Sequence, residues 1–198
     1  MLNSFFQKML RQHFVFSGPI ASGKTKIISS LVDNVKAQVP CYGFIERCIH
    51  KNGDRIGYDV FLNLQGKEER FPFVRRKSRN TFDGNLFSFD QNTIKSIEKE
   101  LNEFKPKIKK HSLLYFDEFG NIEAKGRGLV EALRLLMGQF EDEKIPYTAI
   151  FGARSQNLKG LYFEMKKFIK ETNNVIKIPL KNQTERDVIE QILLSLKK

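Results

Sequence analysis

The sequence has no tryptophan and only two cysteines and three histidines among its 198 residues. Cys41 and Cys48 are too far apart for a redox Cys-x-x-Cys motif and too few for a cysteine-only zinc site. His13, His50 and His111 lack the spacing of a metal site or of a base beside a nucleophile. These absences argue against a disulfide scaffold or a zinc enzyme and favour a cytoplasmic chain with free thiols.

Long apolar runs are also missing, and no segment approaches the roughly 20 residues that a membrane-spanning helix requires. Residues 1–11 carry apolar side chains at helical spacing but lack the basic start and the cleavage site of a secretory signal. We interpret them as a short docking helix. We therefore expect one α/β domain over residues 1–198, monomeric and without a membrane partner.

Acidic residues are outnumbered: 34 lysines and arginines against 23 acids give a net charge of +11. The densest basic segment lies among aromatic side chains, with Arg75, Arg76, Lys77 and Arg79 near Phe71, Phe73 and Phe82. Basic and aromatic residues together can bind nucleic acid. A charge run is more often a solvated face, so nucleic acid stays a secondary hypothesis, without sequence specificity.

Apolar stretches that favour strands alternate with amphipathic helical patterns, which is typical of βαβ units around a parallel sheet. The predicted strands are residues 13–17, 41–45, 56–64, 112–116, 147–151 and 175–178. The predicted helices are residues 24–36, 94–104, 129–140, 162–169 and 184–196. Thr184-x-x-Asp187 resembles a capping box at the start of the last helix, and Asn52-Gly53 predicts a tight hairpin turn. Residues 71–89 show no clear periodicity.

A glycine-rich segment joins the first predicted strand to the first predicted helix. Its residues are Gly18, Pro19, Ile20, Ala21, Ser22, Gly23, Lys24 and Thr25, which match the pattern Gly, four residues, Gly-Lys-Ser/Thr. In this setting the backbone N–H groups surround a β-phosphate and the helix N-terminus favours the anion. Lys24 would bridge the β- and γ-phosphates, and Thr25 would offer its hydroxyl to Mg²⁺.

Two adjacent acids, Asp117 and Glu118, follow the apolar strand 112–116. A phosphate-binding loop requires a carboxylate near the magnesium, aimed by the end of a neighbouring strand. We expect Asp117 to hold Mg²⁺ together with Thr25, and Glu118 to orient or deprotonate the attacking water. Arg154 follows the strand 147–151 and is our candidate for stabilising the charge on the γ-phosphate, although a solvent-facing loop arginine is an equal alternative.

Several motifs together resemble the small P-loop nucleoside-triphosphatases described from thermophiles. They are residues 18–25, then Gly43-Phe44 followed by Asn52-Gly53, Arg55, Gly57 and Tyr58, then residues 117–123, Arg154-Ser155 and Arg186-Asp187. The resemblance covers nearly the whole chain from His13. The sequence departs from the family's usual residues at positions 45–50 and at Phe119 and Asn121.

The resemblance implies a RecA-like, mainly parallel sheet flanked by helices, with an antiparallel β-hairpin insertion. It also implies magnesium-dependent hydrolysis of nucleoside triphosphates such as ATP and GTP to the diphosphate and phosphate, with broad tolerance of the base. Phe119 and Gly120, within the acidic motif, are further candidates for nucleotide binding. Glu123 is carried along by the resemblance without a role that its chemistry suggests.

Two other functions fit the same residues. A nucleoside or small-molecule kinase uses the same phosphate grip, and residues 71–89 could form its lid. A nucleotide-controlled binding module would dock RNA or another acidic partner and use hydrolysis to reset itself. Hydrolysis is favoured because Glu118 gives water a base without any second substrate.

Overall fold

A computed structural model describes residues 12–64, 66–76, 87–108, 110–169, 174–180, 184 and 186–188. The strands within these ranges are β1 (His13–Gly18), β2 (Cys41–Lys51), β3 (Asp54–Leu64), β4 (Lys67–Arg76), β5 (Phe87–Phe89), β6 (Ser112–Phe119), β7 (Tyr147–Arg154) and β8 (Val175–Pro179). The α-helices are α1 (Lys24–Val35), α2 (Gln91–Glu103), α3 (Val130–Asp142) and α4 (Leu158–Met165). Short 3₁₀ helices occupy Glu123–Lys125 and Ser155–Asn157.

The described strands form one sheet in the order β5-β4-β3-β2-β6-β7-β1-β8. The five strands from β2 to β8 in this order pair in parallel, whereas β2, β3, β4 and β5 pair in antiparallel fashion. The expected mainly parallel sheet with an antiparallel insertion is therefore confirmed. The insertion is larger than a hairpin, because β4 and β5 extend it to four strands.

Helices cover both faces of the parallel part, and the strands are apolar on both sides for that reason. Leu113 and Tyr115 of β6 face the layer that contains α1, while Leu114 and Phe116 face the layer that contains α2, α3 and α4. This alternation follows from the two-residue period of a strand. All four side chains are at most 3% exposed, so the centre of the sheet is a rigid base for the loops at its edges.

We call the antiparallel part of the sheet, β2 to β5, the hairpin extension. It begins where β2 lies close to β6. Gly43 has φ 149° and pairs with Tyr115, and a Cβ at Gly43 would lie only 1.9 Å from the Tyr115 carbonyl oxygen. Further along, Asp59 is buried and forms ion pairs with Arg70 and Arg75 of β4. The basic side chain of Arg75 is therefore held by the sheet itself.

Some boundaries differ from those expected. The helix expected at 162–169 is α4, which begins at Leu158 and ends at Met165, because Leu158, Leu161 and Met165 face the core. The capping box is confirmed: the Thr184 amide donates to Asp187 and the Asp187 amide donates to the Thr184 hydroxyl. The docking helix at 1–11, Lys77, Arg79, Phe82 and most of the last helix lie outside the described residues.

Candidate active site

The carboxyl ends of the parallel strands bring the predicted site residues to one edge of the sheet. β1 ends at Gly18, β7 ends at Arg154, and β6 carries Asp117 and Glu118 just before it ends at Phe119. In open α/β sheets, ligands bind outside the carboxyl ends of the strands. The sequence predicted that these groups would meet, and the fold places them together.

The loop from Gly18 to Gly23 leads into α1 through two left-handed residues. Ala21 has φ 62° and Gly23, the N-cap of α1, has φ 87°. The N-cap residue Gly23 has no side chain that could cap the first turn of α1, so it leaves the amide groups there available to a ligand. Such an end favours an anion, because the amide N–H groups and the helix dipole both present positive charge.

Lys24 is the first residue of α1 and is only 4% exposed. Its Nζ donates to the Pro19 carbonyl at 2.8 Å and lies 3.6 Å from Glu118 Oε2. The ammonium group is thus folded back over the loop and directed at the acid on β6. A phosphate bound in the loop would meet this buried cation.

Glu118 lies in a β-bulge, a place where one strand has an extra residue. Two residues of β6, Asp117 and Glu118, stand opposite one residue of β7, Gly152, and Glu118 has φ 61°. A Cβ at Gly152 would come within 3.0 Å of Asp117 Oδ1, so glycine makes room for the bulge. Bulges re-aim side chains beside active sites. Here the bulge directs Glu118 to Arg154, whose Nε donates to Glu118 Oε1 at 2.5 Å.

Asp117 is 1% exposed, and neither of its carboxylate oxygens forms a hydrogen bond of ordinary geometry with a described residue. Burial raises its pKa to about 7, with a further rise from Glu118, while the Thr25 side chain and the Glu46 backbone act in the opposite direction. The charged form of a buried carboxylate is costly unless a cation is bound beside it. Asp117 and the neighbouring Thr25 hydroxyl therefore fit a magnesium ion, which prefers oxygen ligands.

Glu123 now has a structural explanation. Its two oxygens accept from the Gly120 amide at 3.1 Å and the Leu129 amide at 3.3 Å, so the side chain closes the loop between β6 and α3. Burial raises the pKa of Glu123. Phe119, by contrast, is 4% exposed and packs into the core. Glu123 thus positions the backbone that follows Glu118, and the Phe119 side chain anchors that backbone from below.

A cavity of about 770 Å³ opens above these residues, a size typical of small-molecule sites. Residues 20–25, Asp117, Glu118, Gly120 and Arg154 line it, whereas Gly18, Pro19 and Phe119 do not. Its opposite wall comes from the hairpin extension: Glu46, Cys48, His50, Arg55, Tyr58 and Phe89. None of these residues was given a role at the site from the sequence, although Arg55 and Tyr58 are among those that carry the family resemblance. Residues 46, 48 and 50 alternate along the strand and therefore lie on one face of it. Whether that face lines the site depends on the order of the strands in the sheet.

Comparisons with known proteins agree with the geometry of the site. The family model described as NTPase matches residues 13–193 of the chain. The chain belongs to the NTPase family. Family membership supports nucleoside-triphosphatase activity in general, with nucleotide substrates and a divalent metal.

The chain is also similar to a curated protein and to a solved structure. The cancer-related nucleoside-triphosphatase homolog of Mus musculus is 25% identical over 139 residues, which cover 65% of this chain and 70% of the mouse protein. The solution structure of a human cancer-related nucleoside triphosphatase matches with a TM-score of 0.63 at 18% identity, covering 94% of this chain and 97% of the human one. The similarity to the human structure shows that this chain has a P-loop NTPase fold. Within the described residues, none of the helices has the length and apolar character to cross a bilayer.

Proposed function

We propose that this NTPase hydrolyses the β–γ phosphoanhydride bond of nucleoside triphosphates and depends on Mg²⁺. One observation carries the proposal: Glu118 lies between Lys24 and Arg154, at 3.6 Å and 2.5 Å, beside an open helix N-terminus. A carboxylate held between two cations at a phosphate-binding loop can accept a proton from water. The cations also face the place where negative charge develops during transfer.

The residues would act as follows. The loop amides and Lys24 hold the β- and γ-phosphates, which fixes the γ-phosphorus near Glu118. Glu118 accepts a proton as the water oxygen attacks that phosphorus, and the bond from phosphorus to the β–γ bridging oxygen breaks. The products are a nucleoside diphosphate and inorganic phosphate. Arg154, which donates to Glu118, would contribute positive charge beside the γ-phosphate oxygens.

Magnesium would be held by the Thr25 hydroxyl and the Asp117 carboxylate, and when bound it neutralises charge on the phosphate oxygens. The support for this pair is the buried carboxylate of Asp117, which lacks hydrogen bonds of ordinary geometry to described residues. A cation bound there would favour the charged form of this buried carboxylate. Its position in the bulge of β6 keeps it beside the loop.

Broad tolerance of the base is part of the proposal. The loop amides, Lys24 and Arg154 would engage the phosphates, and Glu118 would engage the attacking water, so these groups do not depend on the base. Every nucleoside triphosphate presents the same phosphate chain. We therefore expect ATP, GTP, CTP and UTP to be substrates, with differences in rate that arise outside this set of residues.

The test is phosphate release by the purified protein with Mg²⁺ and each of the four triphosphates, in parallel with Lys24→Ala to detect contaminating hydrolases. We expect release by the wild type, little by Lys24→Ala, and none when EDTA removes Mg²⁺. Tight triphosphate binding without release would contradict hydrolysis and favour a kinase or a nucleotide-controlled switch. Equal release by the wild type and Lys24→Ala would mean that the release does not come from the loop site of this protein.

A further inference from the structure

A row of side chains from four strands forms the wall of the cavity opposite the phosphate loop. Cys48 pairs with Tyr58, Tyr58 pairs with Val74, and Val74 pairs with Phe89, across β2, β3, β4 and β5. Residues directly opposite in antiparallel strands point to the same face. All four line the cavity. We call these four side chains the platform.

The platform presents aromatic rings to the cavity. Tyr58 is half-buried and Phe89 is 37% exposed, although large aromatic side chains are usually covered. Phe89 rests edge-to-face on the buried ring of Phe73, with centroids 5.4 Å apart. A supported and partly exposed ring in a concave wall is suited to stack on a flat ligand.

One edge of the platform carries positive charge. Arg55 pairs with His50 across the β2–β3 turn, and both line the cavity. The Arg55 guanidinium lies 5.6 Å from the centre of the Tyr58 ring and donates to the Tyr58 hydroxyl at 2.9 Å. These contacts hold the guanidinium beside the Tyr58 ring, and a guanidinium binds phosphate or carboxylate through paired N–H donors. The wall therefore combines a stacking surface with an anion-binding group.

The platform lies on the Glu118 side of the loop. Glu46 precedes Cys48 by two residues on the same strand face, and it lines the same cavity as Asp117, Glu118 and Glu123. The γ-phosphate would face Glu118, whereas the nucleoside is attached at the far end of the phosphate chain. A ligand on the platform thus lies beyond the γ-phosphate.

We propose that the platform binds a second ligand, a planar aromatic ring that carries an anionic group, of the nucleoside monophosphate class. The ring stacks on Tyr58 and Phe89, and Arg55 binds the anionic group. The position beside the γ-phosphate rests on the proposed function. No bond is made or broken in this step, so the inference concerns a binding site.

Calorimetric titration tests the site. AMP, GMP, CMP and UMP are titrated into protein saturated with Mg²⁺ and a non-hydrolysable triphosphate analogue, so that turnover plays no part. At least one monophosphate should bind to the wild type, and Arg55→Gln and Phe89→Ala should each weaken it by about tenfold or more. Inorganic phosphate alone should bind more weakly, because it lacks the ring.

Two control variants make the same changes in charge and size at positions outside the platform. Arg47→Gln changes an arginine on the opposite face of the same hairpin, where it packs on Phe61, and Phe163→Ala changes a ring on α4 that is 66% exposed. Both should leave monophosphate affinity unchanged. All four variants should bind the triphosphate analogue as the wild type does.

Two results would overturn the proposal. The first is that no monophosphate binds to the wild type saturated with the triphosphate analogue. The second is that Arg55→Gln and Phe89→Ala weaken binding of the triphosphate analogue instead, which would mean that the platform holds the base of the triphosphate itself. Failure of the proposed function has a different signature. It would appear as absent phosphate release, while monophosphate titration of the same protein still reports on the platform.

Discussion

Glu118 contacts Arg154 at 2.5 Å and Lys24 at 3.6 Å, so its side chain serves both proton transfer and the balance of charge at the loop. Glu118→Gln keeps the size of the side chain but removes the proton acceptor. We expect single-turnover phosphate release to fall by about 10²–10⁴-fold. Triphosphate binding, measured by calorimetry, should persist because the loop amides and Lys24 remain.

The control for this substitution is Glu103→Gln, which changes an exposed acid on α2 that pairs with Lys99. It should leave both rate and affinity unchanged. Release by Glu118→Gln at the wild-type rate would remove Glu118 from the chemistry. A loss of binding together with the loss of rate would show that the acid organises the loop rather than the water.

His13 predicts how stability depends on pH. Burial, with a smaller contribution from His111, lowers its pKa to about 4, and its Nδ1 accepts from the Ala149 amide. Between pH 6.5 and about 4 the folded state therefore binds fewer protons than the unfolded chain, so stability falls as the pH drops through this window. The loss attributable to His13 is up to about 3 kcal/mol. His13→Gln should flatten the slope in urea unfolding measured from pH 7 to pH 4.5; equal slopes would contradict this assignment.

The junction between β2 and β6 ties the antiparallel extension to the parallel sheet. In Gly43→Ala, a Cβ would lie 1.9 Å from the Tyr115 carbonyl oxygen at φ 149°. We expect the free energy of unfolding to fall by about 3 kcal/mol or more, measured by urea denaturation. The matched control is Gly138→Ala inside α3, where the nearest atom of Phe168 is 3.9 Å away.

That control should raise the free energy of unfolding by about 0.5–1 kcal/mol, because alanine loses less backbone entropy than glycine in a helix. A small loss in Gly43→Ala would mean that β2 can move away from β6. In that case the hairpin wall of the cavity could also shift without unfolding.

The elements of the parallel sheet were predictable because their apolar patterns are simple. β6 is apolar on both faces and α1 buries Ile27, Ile28, Leu31, Val32 and Val35. β4 was missed for a physical reason: Tyr58 pairs with Val74 but Asp59 pairs with Pro72, which leaves Phe73 as an extra residue in a bulge. Phe73 and Val74 are consequently buried side by side, and the two-residue alternation that indicates a strand is lost.

The site divides in the same way. The loop was predictable because it joins a strand end to a helix start, and Asp117 and Glu118 were predictable because they follow an apolar strand. Arg154 was predicted from its strand alone, and its contact with Glu118 required the pairing of β6 with β7. The platform could not be predicted, because it depends on the register of four strands rather than on any contiguous motif.

The net charge of +11 belongs to the whole molecule rather than to the site. Arg75, the first residue of the predicted basic segment, forms an ion pair with buried Asp59, so the described part of that segment serves the sheet. We therefore expect polyanion binding to be diffuse: fluorescence anisotropy with labelled RNA should show affinity that falls steeply between about 50 and 200 mM salt. Affinity should not respond to Mg²⁺ with ADP or a triphosphate analogue, since the surplus charge is spread along the chain. RNA binding that depends on the bound nucleotide, with the same decrease in affinity as salt rises, would instead identify a switch. In such a switch the phosphates bound at Lys24 would change the affinity of an RNA-binding surface.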